Sequence, residues 1–367
     1  MLCPYPPFPP HGGGTMRIYQ LIRGLSKHHR ITCLSFVSDS AADAALEPLR
    51  AVCRVVTVVG PPSRSIPLRA WTTLSSALPD MALRNAAPAY TAALHEILAH
   101  EQFDVVQAES IEMAGYLDLV RTTQPLANTR PLLVLDQFNA EYVLQKRAAI
   151  TSLAAVTKSR MLSSAARNLA GGLYSLAQWA KLAAYERRVM QQCDAVTAVS
   201  DDDAHILQQL ATNTQIGVVP NGVDTNEFRR ETVESRPPIY SGPTVVFSGT
   251  LDFRPNVDAV TWFASEVWPL VLARCPSARY VVVGRRPAPA LQQLAASGML
   301  TLTGEVPDAR PYLANAAVYV VPMRIGGGVR LKLLEALSYE APVVSTSMGA
   351  EGVAGLRGGV HCLLADT

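Results

Sequence analysis

The residues best suited to chemistry stand together near the C-terminal end of the chain. A short apolar run is followed by three glycines and then by charged residues at helical spacing: Gly326, Gly327, Gly328, Arg330, Lys332 and Glu335. Glycines let a backbone approach a ligand closely, and the N–H groups and dipole of a helix start favour an anion such as pyrophosphate. Lys332 adds a compact positive charge, and Arg330 adds a planar guanidinium that can donate two parallel hydrogen bonds. The stretch therefore predicts a diphosphate-binding loop.

Glu335 follows Lys332 by three positions, so the two side chains project from one face of the predicted helix. An acid one turn from a phosphate site can accept hydrogen bonds from the hydroxyls of a ribose. The alternative is a glycine loop with an exposed Lys–Glu pair, because a glycine-rich turn alone is a weak signal.

A second glycine cluster, residues 12–14, precedes an amphipathic helix pattern near the N-terminus, with Thr15 as the expected N-cap. The cluster lacks the complete G-x-G-x-x-G fingerprint, since Arg17 occupies its last position. We expect Gly13 and Gly14 to contact the same phosphate ligand as the first loop.

Acidic and amide side chains follow the apolar run that ends at Asp136. Asp136, Asn139 and Glu141 are the candidates for a catalytic group, and Glu141 is the first choice, either for activating a hydroxyl or for contacting a sugar ligand. The alternative is structural, with Asn139 starting a helix and Glu141 in its first turn. The acids 201–203 are explained by a helix start with Ser200 as N-cap, so no metal site is expected.

Short apolar runs alternate with helical patterns through most of the chain. The runs are rich in Val, Ile and Leu and lack strict alternation; they cover residues 31–37, 52–59, 103–108, 132–136, 195–200, 244–249, 280–284, 300–303, 317–321, 343–346 and 360–364. This pattern is typical of strands buried on both faces. Its alternation with helices predicts the α/β class with doubly wound parallel sheets.

A stretch rich in Pro, Gly and charged residues, 216–242, is interpreted as a linker. We therefore expect two Rossmann-like domains facing a cleft, residues 1–215 and 243–367. An Ala/Leu-rich helical segment near 146–188 interrupts the first domain, and Gly171-Gly172 is expected to break its helix.

The composition narrows the class of protein. Hydrophobic residues make up 49% and charged residues 17% of the chain, which excludes disorder. A net charge of +2 gives no reason to expect nucleic acid as a partner. No apolar stretch is long enough to span a membrane, no secretory signal is apparent, and six scattered cysteines suit a reducing cytoplasm.

Basic residues are concentrated in the front of the chain. Residues 1–190 carry 19 Lys and Arg against 13 Asp and Glu, and the segment 146–188 sets eight basic residues against the single acid Glu186. This balance fits peripheral contact of the N-terminal domain with an anionic membrane surface. The alternative is a pair of helices that packs on its own domain and keeps its charges in water.

Several separated blocks, in this order, resemble glycosyltransferase family 4, of the glycosyltransferase group 1 type. They are residues 3–7 with 12–14, 195–200, 218–224, 247–252, 254–258, 326–335, 341–346 and 349–352. The resemblance implies a GT-B fold and transfer of a hexosyl group, with retained configuration, from a UDP- or GDP-sugar. It implies no obligate metal or cofactor. The acceptor would be a glycan or a lipid-linked glycan in surface polysaccharide synthesis, and the location the cytoplasm or the inner membrane face.

The resemblance also assigns roles to residues. The first domain would bind the acceptor and the second the nucleotide sugar. Glu335 matches the second glutamate of the family's paired-glutamate motif, which binds the ribose, whereas Gly327 stands where the first glutamate is expected. Arg254, Arg330 and Lys332 are expected to share the diphosphate.

The chain also departs from the family. Only Leu2-Cys3 precedes the prolines where the family has a full first strand, and the chain stops at Thr367 where the family continues into C-terminal helices. These departures and Gly327 leave two rivals open, a non-catalytic nucleotide-sugar-binding or scaffold relative and a nucleotide-sugar epimerase of the same fold.

Overall fold

The computed structural model describes residues 1–10, 12–123, 130–158, 162–230, 233 and 242–367. The chain forms two compact units, Met1–Pro220 and Asn221–Thr367. Each unit is built around one parallel β-sheet, as the alternation of apolar runs and helices predicts.

The first unit contains a seven-stranded sheet in the order β3-β2-β1-β4-β5-β6-β7, with every pairing parallel. Its strands are β1 Leu2–Cys3, β2 Thr32–Val37, β3 Arg54–Val59, β4 Val105–Glu109, β5 Leu132–Gln137, β6 Ala195–Ala198 and β7 Ile216–Val218. The central strands are buried because helices cover both faces of a doubly wound sheet. Leu34, Ala108 and Leu135 are accordingly buried in the core.

Ten helices of the first unit lie within the described residues. They are α1 Gly13–Leu25, α2 Ser40–Ala44, α3 Glu47–Arg50, α4 Ile66–Ser75, α5 Asp80–Arg84, α6 Pro88–His100, α7 Gly115–Thr123, α8 Glu141–Lys158, α9 Leu162–Gln192 and α10 Asp201–Leu210. No helix of the described chain is both long and apolar enough to cross a membrane.

The second unit contains a six-stranded parallel sheet in the order β10-β9-β8-β11-β12-β13. Its strands are β8 Thr244–Ser248, β9 Arg279–Val283, β10 Thr301–Gly304, β11 Val318–Val321, β12 Val343–Ser345 and β13 Leu363–Leu364. Its helices are α11 Arg254–Trp262, α12 Trp268–Arg274, α13 Pro289–Ala296, α14 Arg310–Ala314 and α15 Leu331–Ser338, with a π-helical turn, Phe263–Val267, joining α11 to α12.

The boundary between the units lies inside the segment interpreted as a linker. Residues 216–218 of that segment form β7, which pairs with β6, so this part belongs to the first sheet. The second unit begins at Asn221. Residues 231–232 and 234–241 of the segment lie outside the described residues.

The expected break at Gly171-Gly172 is wrong, since α9 runs through both glycines. Gly172 is buried, and a Cβ there would lie 2.6 Å from Cδ2 of Leu153 on the neighbouring α8. Gly171 is exposed and a Cβ there would meet nothing within 4 Å. Packing of α9 on α8 thus offsets the poor helix propensity of Gly172.

This difference between neighbouring glycines predicts opposite effects of one substitution. Gly171→Ala should stabilise the protein by about 0.5–1 kcal/mol, because alanine loses less backbone entropy in a helix. Gly172→Ala should instead destabilise it by about 1 kcal/mol, because the overlap with Leu153 outweighs that gain. Thermal unfolding followed by circular dichroism would test the pair, and equal stabilisation by both would contradict close packing at Gly172.

Candidate functional site

The second sheet reverses its strand order between β8 and β11. At such a reversal the loops after the two strands run to opposite faces of the sheet, and the crevice between them is where open α/β sheets bind ligands. Gly249 directly follows β8, and the glycines 326–328 lie in the loop after β11. The predicted phosphate loop is therefore at the expected edge of the second sheet.

The glycine loop is closed by a side chain of its own. Gly326 and Gly328 have positive φ angles of 112° and 75°, which glycine adopts without steric cost. Arg330, the N-cap of α15, donates from Nη1 to the carbonyl oxygen of Gly327. A Cβ on Gly326 would lie 2.8 Å from Nη2 of Arg330. The guanidinium therefore lies against the glycines and fixes the loop in front of the helix.

Lys332 is held from the side of β8. Its Nζ donates to Oδ1 of Asn256 at 3.0 Å and lies 4.1 Å from the centre of the Phe247 ring. A Cβ on Gly249 would come within 2.9 Å of that Nζ, so only glycine leaves room for the ammonium. Burial and then the positive charge of Arg330 lower the pKa of Lys332 to about 7.

Glu335 lies one turn further along α15 and is half-buried. Burial raises the pKa of its carboxyl group, and the positive charge of Lys332 opposes that rise. Within the described residues its carboxylate accepts no hydrogen bond. Its oxygens are therefore available to the hydroxyls of a ligand.

Arg254 is the first residue of α11 and is exposed. The same first turn carries Asn256, whose side chain contacts Lys332. Arg254 therefore lies two positions before the residue of α11 that contacts Lys332. Its contact with a diphosphate stays a prediction.

In the first unit, α1 begins at Gly13 with Gly12 as its N-cap, so the expected N-cap role of Thr15 is wrong. The Thr15 hydroxyl donates to the Gly12 carbonyl at 2.8 Å and accepts from the Gly12 N–H at 2.9 Å, which closes the first turn. A Cβ on Gly14 would collide with the hydroxyl of Tyr5. Packing alone explains Gly14, and phosphate contact by Gly13 and Gly14 stays a prediction.

Asp136 is engaged on both carboxylate oxygens. Arg17 donates from Nε to Oδ2 at 2.7 Å and from Nη2 to Oδ1 at 2.5 Å, and Thr197 donates to Oδ1. Arg17 also donates to the carbonyl oxygen of Val219 at 2.7 Å. Since Asp136 is only 1% exposed, this network favours a structural role that ties α1 to β5, β6 and the segment after β7.

Glu141 is the first residue of α8 and so lies in the first turn, as the structural alternative expected, but Asn139 does not start the helix. Asn139 donates from Nδ2 to Oε1 of Glu141 at 2.9 Å. Burial raises the pKa of Glu141 to about 7, and the Asn139 hydrogen bond opposes that rise. A half-buried carboxyl group that titrates near neutrality suits proton transfer, and Asn139 is placed to orient it.

The start of α8 is capped by acids from distant parts of the chain. Glu186 of α9 accepts from the N–H groups of Glu141 and Tyr142, both at 3.1 Å, and Asp203 of α10 accepts from the N–H of Ala140 at 3.1 Å. Glu186 is fully buried, and burial, followed by the charge of Glu141, raises its pKa to about 8. These N–H groups are satisfied internally, which leaves them unavailable to a phosphate.

Sequence reasoning missed three residues here. Glu186 was visible as the lone acid of a basic segment. Glu112 carried no motif; its carboxylate accepts from Arg84 and Asn85, both at 3.0 Å, and its charge adds to the raised pKa of Glu141. Tyr5 lies in the proline-rich start, and burial and the charge of Glu112 raise its pKa.

The acids 201–203 form the first turn of α10, and the Ser200 side chain accepts from the N–H of Asp203, as predicted. Throughout the described ranges, no group of three or more His, Cys, Asp or Glu side chains is arranged to hold a metal ion.

Two family models match the chain. Residues 242–366 match "Glycosyl transferases group 1", and residues 168–227 match "Glycosyltransferase Family 4". Both matches confirm the resemblance read from the separated sequence blocks, and both families are of the predicted enzyme class.

One curated relative has a short match. A stretch of 131 residues is 28% identical to an uncharacterised 44.6 kDa protein in the cps region of Klebsiella pneumoniae, and it covers 33% of this chain and 33% of that protein. The match thus spans about a third of the length of the relative.

Solved structures share the fold over almost the entire chain. Alr3699/HepE of Anabaena, in complex with UDP and glucose, is 15% identical with a TM-score of 0.59, covering 99% of this chain and 84% of its own. WaaG, a glycosyltransferase involved in lipopolysaccharide biosynthesis, is 17% identical with a TM-score of 0.60, covering 96% and 82%.

An alpha,alpha-trehalose-phosphate synthase (UDP-forming) from Burkholderia xenovorans is 12% identical with a TM-score of 0.63, covering 100% of this chain and 88% of its own. Likeness at these low identities concerns the fold alone. It confirms the predicted GT-B class, with a parallel-sheet α/β architecture in each unit.

The buried pair of Arg17 and Asp136 predicts a large loss of stability on truncation. Asp136→Ala should cost about 3–5 kcal/mol, because it leaves the Arg17 guanidinium buried without its counter-charge. Arg121→Ala is the control, since the Arg121–Asp118 pair is exposed and should be worth under about 0.5 kcal/mol. Urea unfolding measures both, and a loss below about 1 kcal/mol for Asp136→Ala would argue against the structural role.

Proposed function

The chain carries domains of the glycosyltransferase group 1 and family 4 types, and from this premise we propose that it transfers a hexosyl group from a nucleotide sugar to a glycan or lipid-linked acceptor. The second unit binds the donor and the first unit binds the acceptor. The observation that carries the proposal is the arrangement of Lys332 and Glu335 behind the glycine loop, at the strand-order reversal of the second sheet.

The diphosphate of the donor lies against the glycine loop and the start of α15. Lys332 provides a positive charge toward it, and Arg330 and Arg254 add charge from the two ends of the same region. Glu335 accepts hydrogen bonds from the ribose hydroxyls. Fixed positive groups of this kind stabilise the charge that develops on a departing diphosphate.

The transfer retains the configuration of the sugar. The bond from the anomeric carbon to the diphosphate oxygen breaks while a bond to the acceptor oxygen forms on the same face, and the departing phosphate takes the acceptor's proton. Such a reaction needs no pair of catalytic carboxylates of the glycosidase type. Asp136 is fully engaged by Arg17 and Thr197, which is consistent with a reaction that does not use it as a second catalytic carboxylate.

Glu141, oriented by Asn139, is the acceptor-side group. Its pKa of about 7 keeps a share of its carboxyl groups ionised at neutral pH, ready to accept a hydrogen bond from an acceptor hydroxyl. Gly13 and Gly14 start α1, and a Cβ on Gly14 would lie 3.2 Å from the ring of Phe138, which directly follows β5.

The donor is a UDP- or GDP-sugar, and the UDP complex of the Anabaena neighbour favours UDP. The product is a surface polysaccharide or glycoconjugate made on the cytoplasmic side. Support comes from the Klebsiella pneumoniae relative in a cps region and from the neighbour involved in lipopolysaccharide biosynthesis.

A lipid-linked acceptor accords with peripheral membrane contact by the first unit. Helix α4 contains no buried residue, and Ile66, Trp71 and Leu74 are 81%, 67% and 85% exposed. The two arginines of the surrounding segment 61–79, Arg64 and Arg69, both pair with Asp80, so what α4 exposes is mainly apolar. Exposed apolar and aromatic side chains of this kind suit a membrane interface.

Binding measurements test the donor site. Calorimetric titration with UDP, GDP, ADP and NAD should give binding of one nucleoside diphosphate, and Lys332→Ala should weaken it by about 10- to 100-fold, as expected for a charge-assisted hydrogen bond. Glu335→Ala should weaken it by about tenfold. Wild-type affinity should fall between pH 6 and pH 9, because the Lys332 ammonium is charged below its pKa of about 7 and neutral above it.

Lys27→Ala, an exposed lysine of the first unit, is the matched control and should leave affinity unchanged. Turnover of the matching nucleotide sugars then separates the functions. Transfer to an acceptor supports the proposal, conversion of free donor indicates an epimerase, and binding without turnover indicates a non-catalytic relative. Absence of binding by a folded sample would overturn the donor site.

Vesicle flotation tests the membrane contact. The wild-type protein should bind vesicles containing phosphatidylglycerol, and the double substitution Trp71→Ser/Leu74→Ser should weaken binding tenfold or more, because each apolar side chain is worth about 1.5–3 kcal/mol on burial. Leu270→Ser, an exposed leucine of the second unit, is the control and should have no effect. Equal binding by all three proteins would exclude α4 as the contact.

A further inference from the structure

The ammonium of Lys332 is confined by three residues outside its own helix: one on β8, one directly after β8 and one in the first turn of α11. Oδ1 of Asn256 accepts its hydrogen bond at 3.0 Å, the face of Phe247 lies 4.1 Å away, and the missing side chain of Gly249 provides the space. Only the first of these contacts is directional. Asn256 therefore decides where the ammonium lies.

Asn256 is itself fixed in the structure. It lies in the first turn of α11 and is only 6% exposed, and its Nδ2 donates to the carbonyl oxygen of Thr250 at 2.9 Å. Because Nδ2 is committed to a carbonyl, Oδ1 is the atom that faces Lys332. A flipped amide would set its NH₂ group against the ammonium and lose both hydrogen bonds.

An amide at this position orients the lysine without neutralising it. The charged groups that act on Lys332 are Arg330 and Glu335, both on or next to its own helix, whereas β8 and α11 present the neutral Phe247 and Asn256. A carboxylate in place of the amide would form an ion pair with the ammonium and take up charge that a bound anion would otherwise use.

We propose that Asn256 is a positioning residue that aims the Lys332 ammonium at the diphosphate of the ligand without adding a counter-charge of its own. This inference rests on the proposed binding of a nucleoside diphosphate at Lys332. Asn256 acts through Lys332 and has no contact of its own with the diphosphate in this assignment.

A double-mutant cycle tests the inference with UDP, GDP or ADP, whichever the wild-type protein binds. Asn256→Ala should weaken binding by about tenfold in the wild-type background and by less than twofold in Lys332→Ala, because the second protein has no ammonium to aim. Asn315→Ala is the matched control. Asn315 also donates from its side-chain amide to a backbone carbonyl, that of Pro311, but it contacts no lysine. It should leave affinity unchanged.

Asn256→Asp provides a second readout, the pH dependence of nucleotide affinity, which would not change if the role of Asn256 were purely structural. The added carboxylate should raise the pKa of Lys332, so the pH at which nucleotide affinity falls should increase by more than one unit. It should also weaken binding at pH 6.5, because it forms an ion pair with the ammonium. This nearly isosteric variant also keeps the test valid if Asn256→Ala does not fold, as checked by circular dichroism.

The outcomes separate this inference from the proposed function. A wild-type protein that binds none of the three nucleotides overturns the donor site and the inference with it. Wild-type binding together with an equal loss from Asn256→Ala in both backgrounds, or with an unshifted pH profile in Asn256→Asp, overturns the inference alone.

Discussion

In a doubly wound parallel sheet, the loops after two neighbouring strands part only where the order of connection reverses. This chain has one such reversal in each sheet, between β1 and β4 and between β8 and β11. Each glycine cluster lies between a strand at a reversal and the start of the helix that follows it, residues 12–14 at the start of α1 and residues 326–328 in the loop before α15. The topology therefore determines where chemistry can occur, and the side chains determine which chemistry it is.

In the second unit, a lysine from a distant helix lies beside the end of β8. Members of the resembling family often carry Arg and Lys after the glycine that corresponds to Gly249, whereas Thr250 follows it here. Lys332 reaches back from α15 until its Nζ lies against Gly249. A positive charge thus occupies the end of β8 although the residues after that strand do not supply it.

Much of the fold could be predicted from sequence because its signals are local. Apolar runs rich in Val, Ile and Leu identify buried parallel strands, and the glycine loop before α15 follows one of them directly. Strand β7, residues 216–218, falls in the segment interpreted as a linker, because three residues, Ile-Gly-Val, are too few to show a hydrophobic pattern. The continuity of α9 through Gly172 depends on a tertiary contact with Leu153, which helix propensity does not contain.

The candidate site was less predictable than the fold, because it depends on contacts between residues that are distant in the sequence. Glu186 caps α8 from 45 positions beyond Glu141, and Asp136 is matched by an arginine 119 positions earlier. Electrostatic partners follow spatial proximity, and charge types in a sequence do not say which pairs meet. The Asn256–Lys332 contact, across 76 positions, is of this kind.

The exposed Trp71 of α4 also has a practical consequence. Of the four tryptophans, Trp268 is buried, while Trp179 and Trp262 are partly buried with a basic side chain over each ring. Trp71 is 67% exposed, so its indole fluoresces in an aqueous environment. Its fluorescence should shift to shorter wavelength whenever a surface covers α4, which gives this chain a built-in optical reporter of the first unit that needs no label.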